Sequence, residues 1–147
     1  MEINQTTPQT AHAILTAEEE SVYLDVRTEE EFAAGHPAGA INVPVAFPNP
    51  AGGMLLNPDF LKLVESLLPR DKRIFCGCQS GGRSQKAAEM LIETGYTDVA
   101  NVRGGFGGAR DPSGQLVVPG WIDSGLPIST EVDEAHSYAG LKQRAGL

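Results

Sequence analysis

Apolar residues recur along the chain in two rhythms, and the change between them marks the elements. Short dense runs at Val22 to Val26, Ile41 to Val43, Ile74 to Cys76 and Val99 to Val102 have the length and content of buried strands. Between them apolar residues fall at helical spacing. Ala11, Ile14 and Leu15 do so within Thr10 to Thr16, and Phe60, Leu61, Val64, Leu67 and Leu68 within Asp59 to Leu68. Gln85 to Ile92 reads as a further helix.

The boundaries carry their own signals. Thr7-Pro8 offers an N-cap followed by proline at the first helical position. Thr28 with Glu29 to Glu31 forms a capping box with an acidic first turn, and Gly35 ends that helix. Asn57-Pro58 opens the next helix, Pro69 closes it, and Thr94-Gly95 closes the one after. Phe47 to Gly53 is a loop rich in proline and glycine, too short to link domains. Strands alternating with helices predict an α/β fold, with a central parallel sheet covered by helices on both faces.

One junction concentrates chemistry. The run Arg73-Ile74-Phe75-Cys76-Gly77 breaks into Cys78-Gln79-Ser80-Gly81-Gly82-Arg83-Ser84, and a helix follows. Strand, tight loop and helix N-terminus aim backbone N–H groups at an anion, here the sulfur of Cys78. To be mostly thiolate at neutral pH, an ordinary thiol needs about 2.7 kcal/mol of preference for the anion. A helix dipole supplies roughly 0.3–1 kcal/mol, so loop N–H groups and the Arg83 charge must add the rest. Gly81 and Gly82 suit a loop that takes positive φ and brings backbone close to the sulfur. The bland alternative is a buried structural cysteine. Cys78, Ser80-Gly81-Gly82 and Arg83 standing together favour a reactive thiol.

The 147 residues suffice for one core without staples. A net charge of −8 argues against nucleic acid and anionic membranes as partners. It also requires an anionic substrate to find a local basic spot, for which Lys72, Arg73, Arg83 and Lys86 are the candidates. Two cysteines two residues apart make no disulfide framework, and no histidine cluster joins them for a metal. No leader or membrane-length apolar run is visible, so a reducing, cytoplasmic location is expected.

The loop resembles the active site of the rhodanese (thiosulfate sulfurtransferase) family. Tyr23 to Phe32, Gly35-His36-Pro37-Ala38-Gly39-Ala40-Ile41-Asn42-Val43-Pro44, Gly104-Gly105-Phe106 and Trp121 to Ile128 are similar to its other signatures, in the same order. The resemblance covers about residues 8 to 128 and implies one rhodanese domain. Residues 1–7 are expected to be a flexible N-terminus and 129–147 a C-terminal tail, with a short helix from Glu131 as one option. The stretch 107–120 departs from the shortest members. It reads as a surface hairpin turning at Pro112-Ser113-Gly114, or as a cover over the site.

The resemblance implies a sulfurtransferase without a cofactor. Cys78 is the expected nucleophile, carrying a sulfane sulfur as a persulfide. Gln79, Ser80, Gly81, Gly82 and Arg83 are the expected binding loop. Thiosulfate is the expected donor, and cyanide, a thiol or a sulfur-acceptor protein the acceptor. Four residues separate Cys78 from Arg83. Cysteine phosphatases that resemble the family place five there, for a wider oxyanion. Relatives preferring mercaptopyruvate resemble Cys-Gly-Ser/Thr-Gly-Val-Thr, without the arginine. Two rival readings are a persulfide carrier serving a partner protein and a non-catalytic binding module. Asp25, Arg27 and His36 are expected to support the site structurally. His12 is read as a surface residue, and Cys76 as a buried strand cysteine rather than a resolving thiol.

Overall fold

The computed structural model describes residues 2–147. The chain begins with β1 (Asn4–Thr6), α1 (Pro8–Ala17), β2 (Ser21–Asp25), α2 (Glu29–Ala34), β3 (His36–Pro37) and β4 (Ile41–Asn42). It continues through β5 (Ala46–Pro48), β6 (Met54–Leu56), α3 (Phe60–Leu67), β7 (Arg73–Gly77), α4 (Gly82–Glu93) and β8 (Val99–Val102). It ends with β9 (Ala109–Arg110), β10 (Leu116–Val118), β11 (Ile128–Ser129) and α5 (Tyr138–Ala145). Five strands form a parallel sheet in the order β1-β8-β7-β2-β4. The expected α/β architecture is the one observed.

Strand alternation divides the core into two layers. Ile74 and Cys76 face one side with Leu24 and Val99, under Phe60, Leu63 and Val64 of α3 and Ala87, Ala88 and Leu91 of α4. Phe75 faces the other side with Tyr23 and Val102, against Ala11 of α1, Phe32 of α2 and Trp121. The local signals act as read. Thr7 caps α1 through Thr10 N at 3.1 Å, and Thr28 and Glu31 form a complete capping box on α2. Asp59, the N-cap of α3, makes no side-chain cap bond. Asn57 Oδ1 accepts from its N–H instead, at 3.0 Å. His12 is half-buried with its ring edge against Trp121, 5.5 Å between centroids, so it packs rather than projects.

Both ends of the chain depart from expectation. Residues 1–7 were expected to be flexible, yet Asn4 to Thr6 pair in register with Ala100 to Val102, and Ile3 is buried beside them. Met1 lies outside the described residues. An edge strand needs pairing on one side only, so polar residues serve there and leave no apolar run to read. Residues 129–147 were expected to be a tail. Instead β11 pairs with β3, and α5 starts at Tyr138 rather than near Glu131, with Ser137 as its N-cap. Tyr138 and Leu141 enter the α3 layer, and the Tyr138 hydroxyl accepts from Asn57 Nδ2 at 2.9 Å. The 107–120 stretch is a hairpin, with β9 and β10 antiparallel around a turn in which Asp111 Oδ1 accepts from Ser113 and Gln115.

If α5 belongs to the core, Leu141→Ala should lower stability by about 2–4 kcal/mol, as expected for a buried leucine. Urea unfolding followed by circular dichroism reads this. A loss below about 0.5 kcal/mol, the scale of surface changes, would return the segment to the status of a tail.

Candidate active site

The sheet brings the candidate residues to the carboxyl ends of its strands. β7 ends at Gly77, and Cys78 follows at the mouth of the loop that leads into α4. The sulfur is nearly enclosed, with Cys78 only 2% exposed. Its Sγ accepts the Gly81 N–H at 3.1 Å and lies 3.3 Å from Ser84 Oγ. Gly81 has φ +120°, a conformation that side chains rarely adopt, and this turn aims its N–H back at the sulfur. Gly82 needs no such freedom, because it is the first residue of α4. The N–H groups from Gln79 to Arg83 were all expected around the sulfur. Among the described residues, Gly81 supplies the bond that forms.

A second wall fixes the loop from outside. Phe106 N–H donates to Cys78 O at 2.8 Å, and Gly107 N–H to Gln79 O at 2.9 Å. A Cβ at Gly105 would lie 2.2 Å from Cys78 O, so only glycine lets the two backbones approach this closely. Gln79 and Ser80 are exposed at the mouth.

Arg83 makes no hydrogen bond to Cys78. Its guanidinium makes a bidentate pair with Glu31, at 2.6 and 2.9 Å. Arg83 hydrogen bonds, helped by those of Thr28, pull the Glu31 carboxyl down from the usual 4.5 to about 2, against the opposing effect of burial. The expected basic spot also divides. Arg73 stands at the start of β7, roughly 16 Å from Cys78 at the usual strand rise, and pairs with Glu18 and Asp98. Arg73 and its neighbour Lys72 therefore belong to the opposite end of the sheet. Lys86 lies exposed on α4.

The supporting residues form a buried frame. Arg27 Nε and Nη2 donate to the two oxygens of Asp25 at 2.9 and 2.7 Å. Nη2 also donates to Gly35 O at 2.7 Å, and Nη1 to Gln79 Oε1 at 3.3 Å. The guanidinium lies 4.6 Å from the centre of the Phe106 ring. His36 is buried and stacked on Phe32 at 3.6 Å, with Nδ1 2.7 Å from Phe32 O. That distance to a carbonyl makes Nδ1 the protonated nitrogen, and the ring acts as a spacer. Cys76 shares the Cys78 side of the sheet, but it is wholly buried. Burial pushes its thiol far up, and the neighbouring Cys78 adds to the effect. It is therefore an inert strand cysteine at neutral pH.

Three contributors escaped sequence reasoning. Glu31 was read as half of a capping box, and its second role depends on a partner 52 residues away. Ser84 was legible in principle, since it stands in the first turn of the helix aimed at Cys78. Asn101, bonded to Ser84, carried no local signal.

Comparison with known proteins finds relatives that cover most of this chain. The model of the rhodanese-like domain matches residues 7–110. Thiosulfate sulfurtransferase 16, chloroplastic, of Arabidopsis thaliana is 44% identical over 117 residues, covering 80% of this chain and 85% of that protein. Thiosulfate sulfurtransferase GlpE of Haemophilus influenzae (strain PittEE) is 30% identical over 130 residues, 88% of this chain and 98% of the other. The crystal structure of Rv0390 from M. tuberculosis superposes with a TM-score of 0.73 at 30% identity, covering 89% of this chain and all of that one.

The Glu31–Arg83 pair makes stability depend on acid. The folded-state value of Glu31 lies below its unfolded one, so its contribution is whole above about pH 4.5 and disappears as pH falls toward 2. Urea unfolding between about pH 5 and about pH 2 should show the wild type losing more stability than Glu31→Gln, which has no charge to lose. Parallel losses would mean that the pair contributes nothing.

Proposed function

The chain belongs to the rhodanese-like domain family, and from that premise we propose that it is a thiosulfate sulfurtransferase working through a Cys78 persulfide. One observation carries the reading: a single, nearly enclosed sulfur at the N-terminus of α4, receiving the Gly81 N–H, in a loop of four residues between Cys78 and Arg83. A cradle of this length suits one extra sulfur better than a tetrahedral oxyanion.

In the first half-reaction the Cys78 thiolate attacks the outer sulfur of thiosulfate. A new S–S bond forms, the S–S bond of the donor breaks, and sulfite leaves with the bonding pair. The terminal sulfur of the persulfide then holds the negative charge, facing loop N–H groups at the positive end of the α4 dipole. In the second half-reaction an acceptor nucleophile, cyanide or a thiol, attacks that outer sulfur. The Cys78 thiolate leaves and the enzyme is restored. No general base is required once the thiolate is formed, and this accords with His36 being tied to Phe32 O. Cys76 takes no part, because its thiol is buried and protonated.

Arg83 enters as a modulator. Its charge lies near the mouth but is engaged by Glu31, so the attraction for a dianionic donor is partly cancelled. Glu31→Gln keeps a capping-box side chain and releases the guanidinium.

Thiocyanate formation from thiosulfate and cyanide tests the reading. Double-reciprocal lines should be parallel, as for any double displacement, and Cys78→Ser should abolish turnover. Glu31→Gln should lower the KM for thiosulfate by about threefold, the scale of a half-exposed ion pair. Turnover that survives in Cys78→Ser, or intersecting lines, would overturn the mechanism. An unchanged KM would remove Arg83 from donor attraction.

A further inference from the structure

The Ser84 hydroxyl lies within hydrogen-bond reach of the Cys78 sulfur, and it has one proton for three acceptors. These are Cys78 Sγ at 3.3 Å, Gly81 O at 3.2 Å and Asn101 Oδ1 at 2.5 Å. Where that proton goes is decided by a chain of amides that ends more than one strand away.

The chain can be read from its acceptor-only ends. Glu89 has no proton to give, so Gln85 Nε2 faces it at 3.3 Å and Gln85 Oε1 faces away. Gln5 Nε2 donates to that oxygen at 2.7 Å. Gln5 Nε2 also donates to the carbonyl of Ile3 at 3.2 Å, a second acceptor that fixes the same orientation. Gln5 Oε1 therefore points at Asn101 and accepts from its Nδ2 at 2.9 Å. Asn101 Oδ1 is left facing Ser84, where it can only accept. The Ser84 proton goes to Asn101, and Ser84 Oγ turns lone pairs toward the sulfur. In this setting Ser84 accepts a hydrogen bond from the thiol of Cys78 and offers nothing to a thiolate.

We propose that Gln5 and Asn101 are positioning residues that restrain the reactivity of Cys78, by holding the Ser84 hydroxyl on Asn101 and away from the sulfur. When the thiolate forms, Ser84 can donate to it only by leaving Asn101 Oδ1 buried without a donor. Removing the hold of Gln5 frees the Asn101 amide to turn over. Its Nδ2 then donates to Ser84 Oγ, and the Ser84 proton becomes available to the sulfur. The inference rests on Cys78 being the working nucleophile, but its test does not depend on sulfur transfer.

The test is the rate of Cys78 alkylation by iodoacetamide at neutral pH, with the adduct located by peptide mass. Gln5 is exposed on an edge strand, so Gln5→Val keeps the strand preference of β1 and removes only the amide. Gln5→Val should alkylate faster, by about tenfold, the lower end of the scale of one hydrogen bond to a charged group. The gain should vanish in Gln5→Val combined with Ser84→Ala, because the donor is then absent. Gln5→Glu retains an acceptor for Asn101 Nδ2 and should show no gain. A merely structural network would slow the reaction, or leave it unchanged, in every variant. With thermal unfolding confirming the fold, a Gln5→Val rate at or below wild type would overturn the proposal. So would a gain that survives Ser84→Ala. Faster alkylation of a protein that forms no thiocyanate would leave this inference standing and refute the sulfurtransferase reading instead.

Discussion

The Cys78 end of this molecule is tied together by one buried ion pair. Asp25 and Arg27 have side chains 1% and 3% exposed, and the pair gathers four other segments. Through Arg27 it holds the end of α2 at Gly35 O, the loop at Gln79 and the ring of Phe106. Through Asn42, whose Nδ2 donates to Asp25 O and Arg27 O, it holds the end of β4. Two charges removed from water are repaid only when their geometry is good and their remaining bonds are made, and breaking such a pair costs about 3–5 kcal/mol. An apolar pair of similar volume would give comparable stability, but it would give no direction. The pair therefore acts mainly as an orienting device that sets where the Cys78 loop can lie.

Within that frame, chemistry is separated from structure by hydrogen-bond partners and by ion pairing. Cys76 and Cys78 face the same side of one strand end, yet they differ in surroundings. Cys76 is sealed among apolar side chains, while Cys78 meets the Gly81 N–H and the Ser84 hydroxyl. Charge is likewise rationed at the mouth. The chain carries a net −8, and the arginine beside the loop is held by Glu31 rather than left open. The environment of the sulfur is thus set by short hydrogen bonds more than by an exposed cation.

Much of this was legible in the sequence because the governing signals are local or periodic. A parallel strand buried on both faces is apolar along its length, so Ile74 to Cys76 is read directly. The capping box at Thr28 and Glu31 is decided within four residues, and the turn of the 107–120 hairpin is decided by Asp111 and its neighbours. What escaped is long-range or sparse. Arg83 finds Glu31 across 52 residues, and Asn101 finds Gln5 across 96. β1 is an edge strand made of Asn4, Gln5 and Thr6, with no apolar rhythm to reveal it. α5 docks through Tyr138 and Leu141 in an otherwise polar stretch, too few apolar positions to mark a core helix. Arg73 was grouped with Arg83 because they are close in sequence, although a strand of five residues sends them to opposite ends of the sheet.

If Cys78 carries the transferred sulfur, the intact mass of the protein must change on incubation with thiosulfate alone. The wild type should gain about 32 Da, one sulfur held as a persulfide, that is lost on adding cyanide and never forms in Cys78→Ser. An unchanged wild-type mass, or an equal gain in the serine variant, would contradict that role of Cys78.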